Sequence, residues 1–248
     1  MSWNGWSASN VEHEHTPEAI RARLEAPLRI SYLRDWIYGG IDGSVTTFAV
    51  VTGVGGAALS PRIILILGFA NLLADGFSMA ASNYLGTRTE RQEAEALWVR
   101  EQRHIDTDAA GEREEVRQIF AAKGFSGEDL ERAVGIVTSN DERWIELMLA
   151  EEYGLARAKR SASRAALATF SAFVLCGLVP LLPFLVRLPH PFVFSLIMTA
   201  CTFFAIGSAR SRWLLSSWWR AGTETLLMGS LAAAIAWAAG LVIARMAA

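Results

Sequence analysis

The chain has 248 residues, with 23 basic and 25 acidic side chains and a formal net charge of −2. Without a basic excess, nothing in it points to nucleic-acid binding. Hydrophobic residues make up 52%, high for a soluble domain. The charges are also segregated: residues 88–160 carry 17 acidic and 12 basic side chains, whereas residues 165–248 hold one acid, Glu224. One stretch therefore faces water and the rest resembles lipid-embedded sequence.

The first 30 residues are polar and lack a central apolar run, so no cleavable signal peptide is expected. Within them, "HTPEAIRARL" places Thr16 as a helix N-cap and Pro17 at the first helical position, predicting a short amphipathic helix against the membrane face. The preceding His13, Glu14 and His15 read as a polar tail, with metal contact as the alternative.

A bilayer core about 30 Å thick takes roughly 20 apolar residues as a helix. Five stretches meet that length: about 36–57, 61–85, 165–186, 191–209 and 223–246. The predicted fold class is an all-α integral membrane protein of five transmembrane helices. A cytoplasmic helical domain is inserted between spans two and three. The expected divisions are 1–35 (N-terminal segment), 36–87 (spans one and two), 88–163 (charged domain) and 164–248 (spans three to five).

Lys and Arg near the span ends set the orientation. Arg21, Arg23, Arg29 and Arg34 precede span one. Arg88 and Arg91 follow span two, and Arg157, Lys159, Arg160 and Arg164 precede span three. Arg210, Arg212 and Arg220 separate spans four and five, against Arg62, Arg187 and Arg245 on the other side. The N-terminus and charged domain should face the cytoplasm and the C-terminus the opposite side; an N-terminus without a targeting peptide fits a bacterial cytoplasmic membrane. "SWWR" at 217–220 reads as an interfacial anchor.

Two acids lie inside spans. Asp42 sits in "GGIDGSVTTFAVVTG" and Asp75 in "NLLADGFSMAASNYL". An acid at mid-membrane costs on the order of 3 kcal/mol and normally faces protein or water. Both read as ion or proton sites, the alternative being a helix cap or a pair with a neighbouring span. Met79 follows Asp75 by one turn and shares its face. Asn71, one turn earlier, adds a neutral carbonyl. Carboxylate with thioether suits a first-row transition metal better than Mg2+ or Ca2+. Glycines at 39, 40, 43, 53, 55 and 56 allow close helix approach or local unwinding. Pro180 and Pro183 should kink span three. Cys176 and Cys201 read as packing residues rather than a disulfide. Glu224 is read equally as an interfacial or a transport residue.

The charged domain is predicted helical. Glu90, Glu93, Leu97, Glu101, His104 and Asp108 follow steps of three and four and form one stripe. Glu112 and Glu115 lie one turn apart, as do Met148 and Glu152. Gly111 and Gly124 should punctuate the helices, with Ser126 capping a further one. Stacked carboxylates repel unless a cation or proton joins them. The ligand types present suit Fe2+, Mn2+ or Zn2+. Solvated acidic helix faces are the alternative. Glu101-x-x-His104 is also half of a ferritin-like di-iron site, which needs two such pairs. The other Glu-x-x-His spacing, Glu12-x-x-His15, falls in the polar N-terminal tail rather than in the charged domain, so a membrane-anchored di-iron oxidase ranks below a transporter. A metal-sensing membrane protein gives no reason for two intramembrane acids.

At these residues the chain resembles the vacuolar iron transporter family, which includes the yeast vacuolar iron and manganese importer. The resemblance covers about residues 30–246. It rests on "DGSVTTFAVVTG", "NLLADGFSMAASNYL", "GEREEVRQIFAAKGF", "GLVPLLPF" and "SWWRAGTETLLMGSLAAAIAW" taken together. It implies a five-span homodimer that is not an enzyme, carries no prosthetic group, and exports Fe2+ from the cytoplasm in exchange for protons, with Mn2+ and related ions as further cargo. Asp42 and Met79 match the family's intramembrane metal positions. Glu101, Glu112, Glu115, Met148 and Glu152 match its cytoplasmic cluster. His104 stands where some members have Glu, Asn71 where some have an intramembrane Glu, and Leu149 where some have a second Met. Because Asn71 cannot titrate, Asp75 is expected to take that duty.

Overall fold

A computed structural model describes residues 14–26, 30–155, 160–211 and 217–247. His13, Arg29, Arg157, Lys159 and Arg212, invoked above, lie outside them. Residues up to Ser31 form one unit and Tyr32 onward another. In the first, α1 (Pro17–Glu25) is capped as expected: Thr16 Oγ1 accepts the Ala19 N–H at 3.3 Å.

The second unit is helical throughout its described elements. Its helices are α2 (Leu33–Gly56), α3 (Pro61–Ala122), α4 (Gly127–Val137), α5 (Asp141–Glu151), α6 (Ala162–Leu178), α7 (Leu182–Leu185), α8 (Pro191–Arg210) and α9 (Trp218–Ala247). A 3-10 turn, Val179–Leu181, joins α6 to α7. This is the kink expected from Pro180 and Pro183, whose rings and missing N–H groups cannot continue an α-helix. Ser195 of α8 donates to the Pro180 carbonyl at 2.7 Å, satisfying a buried acceptor beside the break.

Among the described residues, four helices are long and apolar enough to cross a membrane: α3, the α6–α7 segment, α8 and α9. The expected first span, α2, is 24 residues long but is not one of them. Its glycines, threonines and Asp42 dilute the apolar run. It nonetheless packs mainly against α6 and α9, each part of a candidate span. Glycine permits this approach. A Cβ on Gly43 would fall on the Phe173 backbone of α6, 2.8 Å from its Cα, and a Cβ on Gly240 of α9 would strike the Gly53 carbonyl of α2.

Two expected boundaries moved. The second span and the first charged helix are one element, α3, because nothing between Pro61 and Thr107 interrupts the helical backbone. The break expected at Gly111 instead falls at Asp108, the one non-helical residue inside α3 (φ −142°, ψ 64°). Its Oδ1 accepts the Gly111 N–H at 3.0 Å and so caps the following segment. Gly124 does end α3, at φ +96°. Ser126 precedes α4 without a side-chain cap, whereas Asn140 caps α5 by accepting from Arg143 N–H at 3.0 Å. Leu97, Ile105, Val116, Val134, Trp144, Ile145, Met148 and Leu149 then form one apolar core under α3, α4 and α5.

Candidate metal centre

The break at Asp108 brings the stripe of α3 back upon itself. In a straight helix Glu101 and Glu112 would be about 16 Å apart along the axis. Here one ligand atom each from Glu101, His104 and Glu112 lies within 4.8 Å of the other two. His104 Nδ1 is 3.3 Å from Glu112 Oε1 and 3.9 Å from Glu101 Oε1. Glu101 is 1% exposed and Glu112 7%, so both carboxylates have lost most of their water. Glu112 Oε2 is buried without a hydrogen-bond partner. A desolvated, unpaired carboxylate oxygen on a residue beside an imidazole and a second carboxylate has the chemistry of a cation ligand.

Glu115 is exposed, but it acts electrostatically on Glu112, and Glu152 acts on both. Burial, then the Glu115 and Glu101 charges, pushes the Glu112 carboxyl above its ordinary value, and His104 opposes them. Glu115, though exposed overall, rises as well, through partial desolvation of its carboxyl and then the charges of Glu152 and Glu101. Met148 is fully buried in the apolar core between the helices. Glu90 and Glu93, at the start of the stripe, are exposed, and Asp108 serves the helix break.

Sequence reasoning missed Tyr153. It follows α5 and its hydroxyl donates to Glu101 Oε1 at 3.0 Å. Burial and then the Glu101 hydrogen bond push the phenol up to about 12. The spacing Met148–Glu152 drew attention to this stretch, but no periodicity links residue 153 to residue 101.

The group on α2 and α3 is more open. Asp42 is half-buried on α2, and its carbonyl accepts from Thr46 Oγ1 at 2.9 Å. Asp75 lies on the neighbouring α3 within electrostatic reach of the Asp42 carboxylate. Asp75 is exposed, Met79 is half-buried, and Asn71 Nδ2 is buried without a partner.

A second polar cluster was also missed. Asp35, 4% exposed, pairs with Arg160 and accepts from Asn83 Nδ2 at 3.0 Å. Asn83 also donates to Thr169 Oγ1 at 2.7 Å. The Arg160 guanidinium lies 5.8 Å from the Tyr32 ring centroid, and Tyr32 Oη accepts the Ser161 N–H at 3.0 Å. These contacts tie the first turns of α2 and α6 to α3. Glu224 forms an ion pair with Arg210 at 2.6 Å between the end of α8 and the start of α9. Cys176 and Cys201 are both free thiols, as expected.

Residues 33–241 match the VIT family, a region that contains both groups of polar residues. The chain belongs to the vacuolar iron transporter family. It is 31% identical to Vacuolar iron transporter 1 of Arabidopsis thaliana, over 85% of this chain and 86% of the relative. Identity to a vacuolar iron transporter of Centaurea cyanus is 32%, over 82% and 84%. For one from Toxoplasma gondii it is 28%, over 84% and 73%. Members of the VIT family are transporters rather than enzymes, which sets aside the di-iron oxidase reading. In this VIT family member the cluster around Glu101 and Glu112 contains an imidazole and a phenol beside its carboxylates.

Proposed function

We propose that the protein carries Fe2+ out of the cytoplasm, with Mn2+ and related divalent ions as further cargo, in exchange for protons. The relatives named above are called iron transporters. The observation that carries the reading is Asp75, an exposed acid on a helix long enough to span a membrane, within reach of Asp42. A carboxylate in that position faces water or another protein surface rather than lipid. A second copy of the chain placed against this face supplies such a surface. Asp42, Asp75 and Met79 from both chains then strip part of the ion's hydration shell, and the Asn71 carbonyl adds a neutral donor.

In this reading α2 is also a span, the first of five, the N-terminus and charged domain face the cytoplasm, and the C-terminus lies opposite. Glu101, His104, Glu112, Glu115, Met148 and Glu152 gather the ion from the cytoplasm. Two carboxylates and an imidazole suit Fe2+, Mn2+ or Zn2+. Metal binding requires a deprotonated carboxylate, so metal and proton compete for one group. That competition supplies the coupling for antiport.

The test is metal flux into proteoliposomes under an imposed pH gradient, with Asp42→Asn and Asp75→Asn beside the unaltered chain. Flux should depend on the gradient and fall to background in Asp42→Asn. A metal-sensing protein would bind ions at the charged domain and show no flux.

A further inference from the structure

We propose that Tyr153 is a positioning residue for the candidate metal centre: its hydroxyl, 3.0 Å from Glu101 Oε1, holds that carboxylate in the orientation that presents it to a divalent cation beside His104 and Glu112. The proposal rests on the reading of this cluster as a metal site.

The position of Tyr153 is fixed from two directions. Glu152 N–H bonds the Met148 carbonyl at 2.9 Å, and Leu155 N–H returns to the Leu149 carbonyl at 2.9 Å. Gly154 between them has a φ of +65°, which lets the chain turn directly after the tyrosine. The Tyr153 ring packs on the apolar core of α3, α4 and α5. The ring is thereby anchored in oil while the hydroxyl reaches the polar cluster, the division of labour expected of a half-buried tyrosine.

Glu101 needs such a partner. It is 1% exposed, so water cannot orient it. Its nearest cation-forming neighbour, His104, stands 3.9 Å from Oε1, beyond hydrogen-bond distance. Tyr153 is the hydrogen-bond donor to Glu101 among the described contacts. A phenol is an O–H donor that carries no charge at neutral pH, so it orients the carboxylate without cancelling the charge that attracts a cation. Removing an outer hydrogen bond of this kind from a ligating carboxylate typically costs about 10- to 100-fold in metal affinity.

The experiment measures Co2+ binding to the full chain in detergent, by titration and by the d–d absorption of the bound ion. It compares the unaltered protein with Tyr153→Phe, Glu101→Gln, the double variant and Glu112→Ala. Tyr153→Phe keeps the ring and its packing, and its metal-free melting temperature reports whether the fold is retained. The proposal predicts that Glu112→Ala abolishes binding. Tyr153→Phe should weaken it about 10- to 100-fold and alter the d–d band. The same substitution should add nothing in the Glu101→Gln background. Unchanged affinity and spectrum in Tyr153→Phe, with Glu112→Ala still defective, overturns the positioning role and leaves the metal centre standing. A weakening of equal size in both backgrounds also overturns it, since the effect would not pass through Glu101. If the unaltered chain binds no Co2+, or Glu112→Ala binds as well as it does, the metal-site reading fails and this proposal fails with it.

Discussion

Glu112 Oε1 lies 3.3 Å from His104 Nδ1 across the helix break at Asp108. On an uninterrupted helix these residues would be separated by about 12 Å of rise. The break therefore builds the cluster, and it does so by burying two carboxylates together. If the cluster is the metal site proposed above, that arrangement costs stability in the metal-free protein and a bound cation offsets the cost.

Substituting Glu112 separates those two effects. Glu112→Gln keeps the side-chain shape and removes a buried charge whose Oε2 has no partner. An unsatisfied buried polar group costs about 1–3 kcal/mol. The metal-free variant should melt at the same or a higher temperature than the unaltered chain, while its stabilisation by added Mn2+ or Co2+ largely disappears. Thermal melts in detergent, with and without metal, check both halves.

The pH dependence has a definite sign. Glu112 and Glu115 are raised above the ordinary glutamate value in the folded state, chiefly by burial and then by neighbouring carboxylates. Between the ordinary glutamate pKa and their raised values, the folded chain holds more protons than the unfolded one. This contribution to stability is thus fully present at low pH and is lost as pH rises through the raised values. A bound cation removes the penalty, so the gap in melting temperature between loaded and metal-free protein should widen from acid toward neutral pH. A gap that narrows over that range would contradict the assignment of these two groups.

Asp35 and Arg160 give a stability prediction independent of metal. Asp35 is buried and tied to Arg160 and Asn83. Arg160→Ala leaves its charge without a cation, a loss of about 3 kcal/mol for a buried pair. Asp35→Asn together with Arg160→Ala should recover much of that loss, because the stranded charge is gone. Denaturant or thermal unfolding of the two variants gives the comparison.

Two glycines with the same chemistry should respond in opposite ways. A Cβ at Gly43 meets the Phe173 backbone, so Gly43→Ala must push α2 from α6, at about 1–3 kcal/mol. A Cβ at Gly86, inside α3, meets nothing within 4 Å. Gly86→Ala should stabilise the chain by about 0.5–1 kcal/mol through helix propensity. Paired melting curves distinguish close packing from a general sensitivity of the membrane helices.

Much of the fold was legible because its signals are local. The Thr16–Pro17 helix start, the proline break after Leu178 and the Gly124 terminus each follow from one or two residues. The Glu101–His104 pair followed from helical spacing. The rest depended on contacts between distant segments. Nothing in the periodicity distinguishes Asp108, where the chain breaks, from Gly111, where it was expected to. The break brings Glu112 into the cluster, whereas Glu90 and Glu93, on the helix before it, are exposed. Tyr153 and Asp35 find their partners across 52 and 125 positions, distances at which a single sequence carries no register. The α2 helix shows the converse limit: its glycines make it a poor hydropathy signal and, by allowing close approach to α6 and α9, a well-packed helix.

The central claim is that the intramembrane carboxylates exchange a metal ion for protons. The most direct measurement is Fe2+ flux in proteoliposomes held reduced, with and without a pH gradient, for the unaltered chain and Asp42→Asn. The account predicts gradient-dependent Fe2+ flux with opposite proton movement in the former and background flux of both in the latter. Equal Fe2+ flux in the two proteins, or flux indifferent to the gradient, would contradict it.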